Sequence, residues 1–304
     1  NRISLGGQSF DDAVLAGLGR RHRRDDLLEA CRWMREALRQ GELRSWSLDL
    51  IQNLPGQTHP AWEQQLAQAI AMESPHVSVY DLSVEPGTVF DRRQQRGELD
   101  LPEEELAAEL MALTSHRLGA AGLARYEISN HARPGHASRH NRVYWSGAGW
   151  WGFGMGATSA PAGERQARPR TREAYRLWLE QTAAAPVSAA GASGSSDPAP
   201  KRSAGMPLDD LLLVGLRRRE GVDLQALGCP SPDDLLMRWQ PFIAEGLLVG
   251  EAGRWRLSDP AGMALSNRVL VEVLLWWESL SDVDRAPSVA APLRRAAVPA
   301  AERG

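Results

Sequence analysis

Residues 138–145, "SRHNRVYW", set a histidine, an asparagine, a tyrosine and a tryptophan between His140 and Trp145. His131 and His136 precede them, so three of the seven histidines fall within ten residues. Trp150 and Trp151 follow, so three of the eleven tryptophans fall within seven. A neutral imidazole ligates metals, whereas tyrosine and tryptophan offer flat apolar area with one polar tip. A second reading is open at this point: a buried loop whose histidines are hydrogen-bonded by neighbouring carbonyls. Asp49, inside the apolar run "SLDLI", raises a similar question, because a carboxylate there is costly to bury unless something pairs with it.

The 304-residue chain is long enough for about two domains. Hydrophobic residues make up 43% and charged residues 24%, an ordinary soluble globular composition. The formal net charge of −3 supplies no basic field for nucleic acid or an anionic membrane. Lys201 is the sole lysine beside thirty-four arginines, which reads as coding bias. No signal peptide is expected, and the longest apolar run, "VLVEVLLWW" (269–277), contains Glu272 and falls short of the ~20 residues that span a bilayer. Cys31 and Cys229 lie far apart without metal-ligand spacing, so a reduced, cytoplasmic location is expected.

The pattern around the candidate residues alternates strand and helix. Strands are expected at 2–5, 46–51, 76–84 and 124–130, with helices at about 11–18, 24–39, 60–72 and 102–120. Such alternation means βαβ units and a parallel sheet. Each strand ends in polar or glycine-rich residues: Gln8, Asp49, Ser83 to Glu85, and Glu127 to Asn130. In parallel barrels that carboxyl end is where chemistry is built. Residues 183–206, rich in Ala, Gly, Ser and Pro, are expected to form a linker. Residues 207–284 then read as helix, helix, two-stranded wing and helix, and 285–304 as a disordered tail. Winged modules often bind DNA. Here seven arginines face thirteen Asp and Glu between 205 and 284, an acidic balance that repels phosphate. A packing or lid role is favoured, and a DNA-binding regulator is disfavoured.

Seven segments carry a further signal in order: 1–12 "NRISLGGQSFDD", 47–58 "SLDLIQNLPGQT", 78–88 "SVYDLSVEPGT", 125–135 "RYEISNHARPG", 138–147 "SRHNRVYWSG", 152–159 "GFGMGATS" and 215–224 "GLRRREGVDL". Together they resemble the oxygen-independent coproporphyrinogen III oxidase-like family of radical SAM proteins. The HNxxYW segment is similar to that of its HemW-type heme chaperone branch and is absent from the true oxidases. The resemblance covers about residues 1–280 apart from the linker. It implies a partial (β/α) radical SAM barrel over 1–182, strands 4 onward, followed by the small winged-helix-like domain. It also implies S-adenosylmethionine, a 4Fe-4S cluster held by a CxxxCxxC loop, and heme as cofactors. That loop has no counterpart here, and "NRISLGGQSF" corresponds to the family's fourth strand. The chain is therefore expected to be an N-terminally truncated member, inactive in radical chemistry by itself, with an apolar strand edge left open.

Residue by residue, the family's S-adenosylmethionine positions fall on Gln8, Arg20, Asp49, Ser83 and Thr158. Arg20 suits the methionyl carboxylate. Gln8 and Asp49 suit ribose or amino groups, and Ser83 offers a carbonyl or hydroxyl. Two departures stand out: many heme chaperones carry another residue at Thr158, and glycine is common where Asn53 stands. For heme, the resemblance points to His140 as the iron ligand, with Asn141, Tyr144 and Trp145 beside it and His131 and His136 as alternates. The implied function is to bind heme and deliver it to acceptor proteins. The alternative is oxidative decarboxylation of coproporphyrinogen III propionates. Implied partners are heme and heme-acceptor proteins, with no nucleic acid; peripheral contact with membrane-bound acceptors and a homodimer are compatible with the resemblance.

Overall fold

The strand "SWSLDLIQ" shows why the sheet forms. Trp46, Leu48 and Leu50 point to one side and are fully buried, while Ser45, Ser47 and Asp49 point to the other. A computed structural model describes residues 1–161, 163, 165–184, 206–281 and 285. The expected linker and tail therefore lie largely outside the described residues.

The first part runs β1 (Arg2–Gln8), α1 (Asp12–Gly17), α2 (Arg24–Arg39), β2 (Ser45–Gln52), α3 (His59–Ala71), β3 (His76–Asp81), α4 (Val89–Gln95) and α5 (Glu104–Ala120). It continues with β4 (Ala124–Glu127), β5 (Asn130–Ala132), α6 (Arg139–Trp145), β6 (Thr158–Ser159), β7 (Gln166–Ala167) and α7 (Arg172–Ala184). The helices start where local chemistry lets them. Asp11 and Thr58 accept backbone N–H groups at the starts of α1 and α3, and Pro60 sits in the first turn of α3. Along α5, Leu110, Thr114 and Leu118 recur one turn apart and are buried.

The five-stranded sheet has the order β1-β2-β3-β5-β4. β1, β2 and β3 pair in parallel, as the alternation implies, but β5 pairs antiparallel with both β3 and β4. The expected single strand at 124–130 is thus a hairpin whose returning arm inserts beside β3. Hydrogen bonds to Glu127 from the backbone N–H of Ser129 (3.0 Å) and the Asn130 side chain close this turn. Among the described residues β1 has a neighbour on one side only, and Ile3 on it is 39% exposed.

One face of the sheet packs Trp46, Leu48, Leu50, Val77 and Val79 against α2, α3 and α5. Burying each such side chain contributes about 1.5–3 kcal/mol. Gly7 permits this approach, since a Cβ there would lie 2.9 Å from Leu48 Cδ1 and 3.0 Å from Leu27 Cδ2. The opposite face carries Arg2, Ser4, Ser45, Ser47, Asp49, His76 and Ser78 in matched registers.

The second part comprises α8 (Leu208–Leu216), β8 (Val222–Asp223), α9 (Pro232–Ala244), β9 (Leu248–Glu251), β10 (Arg254–Leu257), α10 (Ala261–Ala264) and α11 (Ser266–Ser279). Its small sheet has the order β8-β10-β9. Leu212, Leu235, Trp239, Val273 and Trp276 form a separate core, onto which Met111 of α5 and the partly buried Ile128 and Trp150 pack. Two of its acidic residues meet the first part: Glu220 lies 3.0 Å from Arg142 and Asp259 3.1 Å from Arg125.

A buried polar chain fixes α3 and α5 on β2. Trp62 Nε1 donates to Thr114 Oγ1 (2.8 Å), which donates to Gln52 Oε1 (2.9 Å). Thr114→Val keeps the shape and strands both partners, so it should cost about 1–3 kcal/mol. A shift in the urea midpoint measures this, and an unchanged midpoint would show that the chain contributes nothing.

Candidate functional site

Gln8 ends β1 in the left-handed region, with φ 65°. Its side-chain amide folds back over Gly6, where a Cβ would lie 2.8 Å from Gln8 Nε2. Gly6 is paired in register with Asp49, so the Gln8 amide and the Asp49 carboxylate share one end of the polar face. Asp49 Oδ2 accepts from Ser4 Oγ at 2.7 Å, whereas Oδ1 is buried without a partner. A buried carboxylate oxygen left open in this way is what a ligand hydroxyl or amine would satisfy. Asn53 also has positive φ, 59°. Asparagine tolerates that conformation, so the turn that glycine would make is kept, and Asn53 Nδ2 donates to Asp81 at 2.8 Å. Arg20 and Ser83 lie exposed just beyond α1 and β3. Thr158 is partly buried in β6, where its carbonyl accepts the Trp150 indole N–H at 3.1 Å. Gln8 and Asp49 are brought together; among the described residues no hydrogen bond or ion pair joins Arg20, Ser83 or Thr158 to them.

The motif residues occupy α6, a helix the residue pattern left unread. Ser138 caps it, its hydroxyl accepting the Asn141 N–H at 3.3 Å. β4 holds both ends of this helix. The Tyr126 hydroxyl accepts the Ser138 N–H at 3.2 Å and shares a 2.9 Å hydrogen bond with His76 Nε2. At the far end the Trp145 side chain lies close enough to the Glu127 carboxylate to oppose the rise that burial causes in its pKa. Arg142 lies 5.5 Å over the Tyr126 ring and pairs with Glu220.

His140 and Tyr144, one turn apart, are exposed instead. Their rings meet edge-on at 5.0 Å, and Tyr144 meets Trp150 at 4.9 Å. Trp150 and Ala160 exchange backbone hydrogen bonds of 3.2 and 2.9 Å, folding 150–160 back on itself. Trp151, Phe153 and Met155 on this loop are at least half exposed. Large apolar side chains gathered in solvent mark a binding surface more often than chance.

The three clustered histidines end in three environments. His140 is free to approach a ligand. His136 Nδ1 lies 3.1 Å from Ser45 Oγ, and Arg2 donates to the His136 carbonyl at 2.9 Å. His131 is 1% exposed in β5, with neither ring nitrogen hydrogen-bonded. Burial drives its pKa well below the usual range, helped by Arg125 and His76. This corrects the expectation for His131, which cannot reach a ligand at the surface. Burial likewise lowers His76 to about 3, with Arg2 and His136 adding to the effect. Glu127 is raised by burial against the opposing effects of Ser129, Asn130, Arg125 and Trp145. Sequence reasoning missed Tyr126 and Glu127 as supports of α6; the adjacent "RYE" and "SRHN" segments signalled only a strand and a motif.

Among the described residues no group of three His, Cys, Asp or Glu could hold a metal ion. Cys31 and Cys229 sit in separate cores, their thiols raised by burial to about 11 and about 12. They do not fit an iron–sulfur cluster. Gln8 and Asp49 fit an S-adenosylmethionine hydroxyl or amine, and exposed His140 fits an iron ligand. No helix among the described residues is long and apolar enough to cross a membrane.

The heme chaperone HemW of Synechocystis is 38% identical over 292 residues, spanning 89% of this chain and 67% of that protein. The chain belongs to the HemW family of radical SAM proteins. HemW of Mycobacterium tuberculosis is 36% identical over 273 residues, covering 90% of this chain and 65% of the relative. The chain thus spans about two thirds of the length of these curated relatives. No family model matches it. The coproporphyrinogen III oxidase HemN of Escherichia coli superposes with a TM-score of 0.62 at 16% identity, covering 90% of this chain and 64% of HemN. That likeness establishes a partial, TIM-like radical SAM fold.

Because His76 is neutral when folded and protonated when unfolded below pH about 6.5, its contribution is complete above that pH. It is lost as pH falls toward about 3. The urea midpoint should therefore drop between pH 7 and 4, and His76→Gln should reduce the slope by about one proton. Equal slopes in the two proteins would contradict this.

Proposed function

We propose that the whole protein binds heme at the exposed face of α6 and passes it to acceptor proteins. The observation that carries this reading is the arrangement of the HNRVYW helix. Arg142 and Trp145 tie it to Glu220, Tyr126 and Glu127, leaving His140 and Tyr144 outward beside the apolar loop 150–160. Heme, when bound, supplies an iron that accepts an axial imidazole and a flat macrocycle for aromatic contact. His140 is the ligand. Tyr144 and Trp150 form the wall, and Trp151, Phe153 and Met155 give apolar cover that solvent also reaches. Asn141 and Trp145 belong to the motif as supports of the helix. An open site of this kind suits cargo that must leave again. The naming of the Synechocystis and mycobacterial relatives as heme chaperones supports the same reading.

In this proposal Gln8 and Asp49, at the carboxyl ends of β1 and β2, would hold a hydroxyl or amine of S-adenosylmethionine, and Arg20, Ser83 and Thr158 would complete its site. Asp49 Oδ1 is the acceptor waiting for it. We assign residues 1–182 to the barrel part and 207–284 to the winged-helix-like part, and place the protein in the cytoplasm.

Heme titrations compare His140→Ala with His116→Ala, an equally exposed histidine on α5. Loss of an imidazole ligand from iron should weaken binding about tenfold or more and shift the Soret band, whereas His116→Ala should bind as the parent does. Unchanged affinity in a folded His140→Ala protein would return α6 to a structural role.

A further inference from the structure

Where α5 and β4 meet the small sheet of the second part, a cavity of about 280 Å³ opens. Ser115, Arg125, Tyr126, Arg219, Arg256 and Asp259 line it. Three arginines thus line it with one carboxylate, Arg125 buried, Arg256 partly buried and Arg219 exposed. That carboxylate is already engaged: Asp259 Oδ1 accepts from Ser115 Oγ at 2.7 Å and lies 3.1 Å from Arg125 Nε. Arg125 spends Nη1 on the Ile128 carbonyl, and its Nη2 is buried without a partner. Among the described residues neither Arg219 nor Arg256 has a hydrogen bond or ion pair from its guanidinium.

A buried N–H left unpaired costs the full desolvation of that group, and like charges converging on one concavity repel. A structural ion-pair network would end with its charges matched. Here Arg125, Arg219 and Arg256 line one open concavity with Asp259 as the one carboxylate among its lining residues. Planar guanidinium forks match the oxygens of carboxylate and phosphate groups. We propose that this cavity is an oxyanion site that takes a phosphate or carboxylate group of a small ligand. The anion would accept from Arg125 Nη2 and from the forks of Arg219 and Arg256. It would thereby join β4, which holds α6, to β10 and the turn before β8. The site's lining shares no residue with the proposed heme face of His140, Tyr144 and the loop 150–160, so either assignment can fail alone.

Isothermal titration with inorganic phosphate and with succinate, at ionic strength matched by sodium chloride, tests the proposal on the full chain. One saturable site is expected. Arg219→Ala and Arg256→Ala should each weaken it about tenfold, the loss of one charge-assisted bond, whereas the exposed Arg172→Ala on α7 should not. Tighter phosphate would identify a phosphoester ligand, and tighter succinate a carboxylate ligand; either supports the site. No saturable binding of either anion to the parent protein overturns the proposal, as does equal affinity in both cavity variants with unchanged far-UV spectra. The titration of the parent decides the matter even where a variant fails to fold.

Discussion

The buried hydroxyl of Tyr126 is the contact on which the rest of the arrangement depends. It lies between His76 in the middle of the sheet and the first backbone N–H of the α6 cap, at 2.9 and 3.2 Å. Because it is buried, losing either partner would leave a polar group unsatisfied, so the position of α6 follows from that of β3 and β4. The next residue, Glu127, has the Trp145 side chain beside it at the other end of the helix. Two adjacent strand residues therefore decide which side chains of a seven-residue helix turn inward. His140 and Tyr144 are outward because Arg142 and Trp145 are not.

β4 and α6 also meet acids of the second part. Arg125 reaches Asp259, and Arg142 reaches Glu220, so two of the module's acids are spent on arginines of the first part. Arg125 is nearly buried and Asp259 partly so, which lifts this pair above the small worth of exposed ion pairs. These two pairs cross to the first part, whereas Asp234, Glu245 and Glu272 pair with arginines of the second part itself.

Legibility in the sequence followed the length and periodicity of each element. The span 24–39 matches α2 residue for residue, because sixteen residues with buried Leu27 and Cys31 in helical spacing leave little choice. The hairpin of β4 and β5 was hidden. Its turn is two residues long, and the stabilising bonds come from a Glu127 carboxylate that looks like any strand-end acid. α6 was hidden too, since seven residues carry too little apolar periodicity to declare a helix. Three histidines within ten residues suggested one site, yet an extended strand, a turn and a helix cap separate them. His131 faces the core, His136 meets Ser45, and His140 meets solvent. The polar strand ends were readable as types, but the open Oδ1 of Asp49 was not, because it depends on which oxygen Ser4 occupies.

The central claim is that the outward face of α6 and the loop 150–160 form one heme surface. Hydrogen exchange read by mass spectrometry, with and without hemin, tests it across the whole chain at once. Protection should rise over residues 139–160 and stay unchanged over α2 and α3, which pack on the apolar face of the sheet. Protection confined to other segments, with 139–160 exchanging as before, would contradict the account.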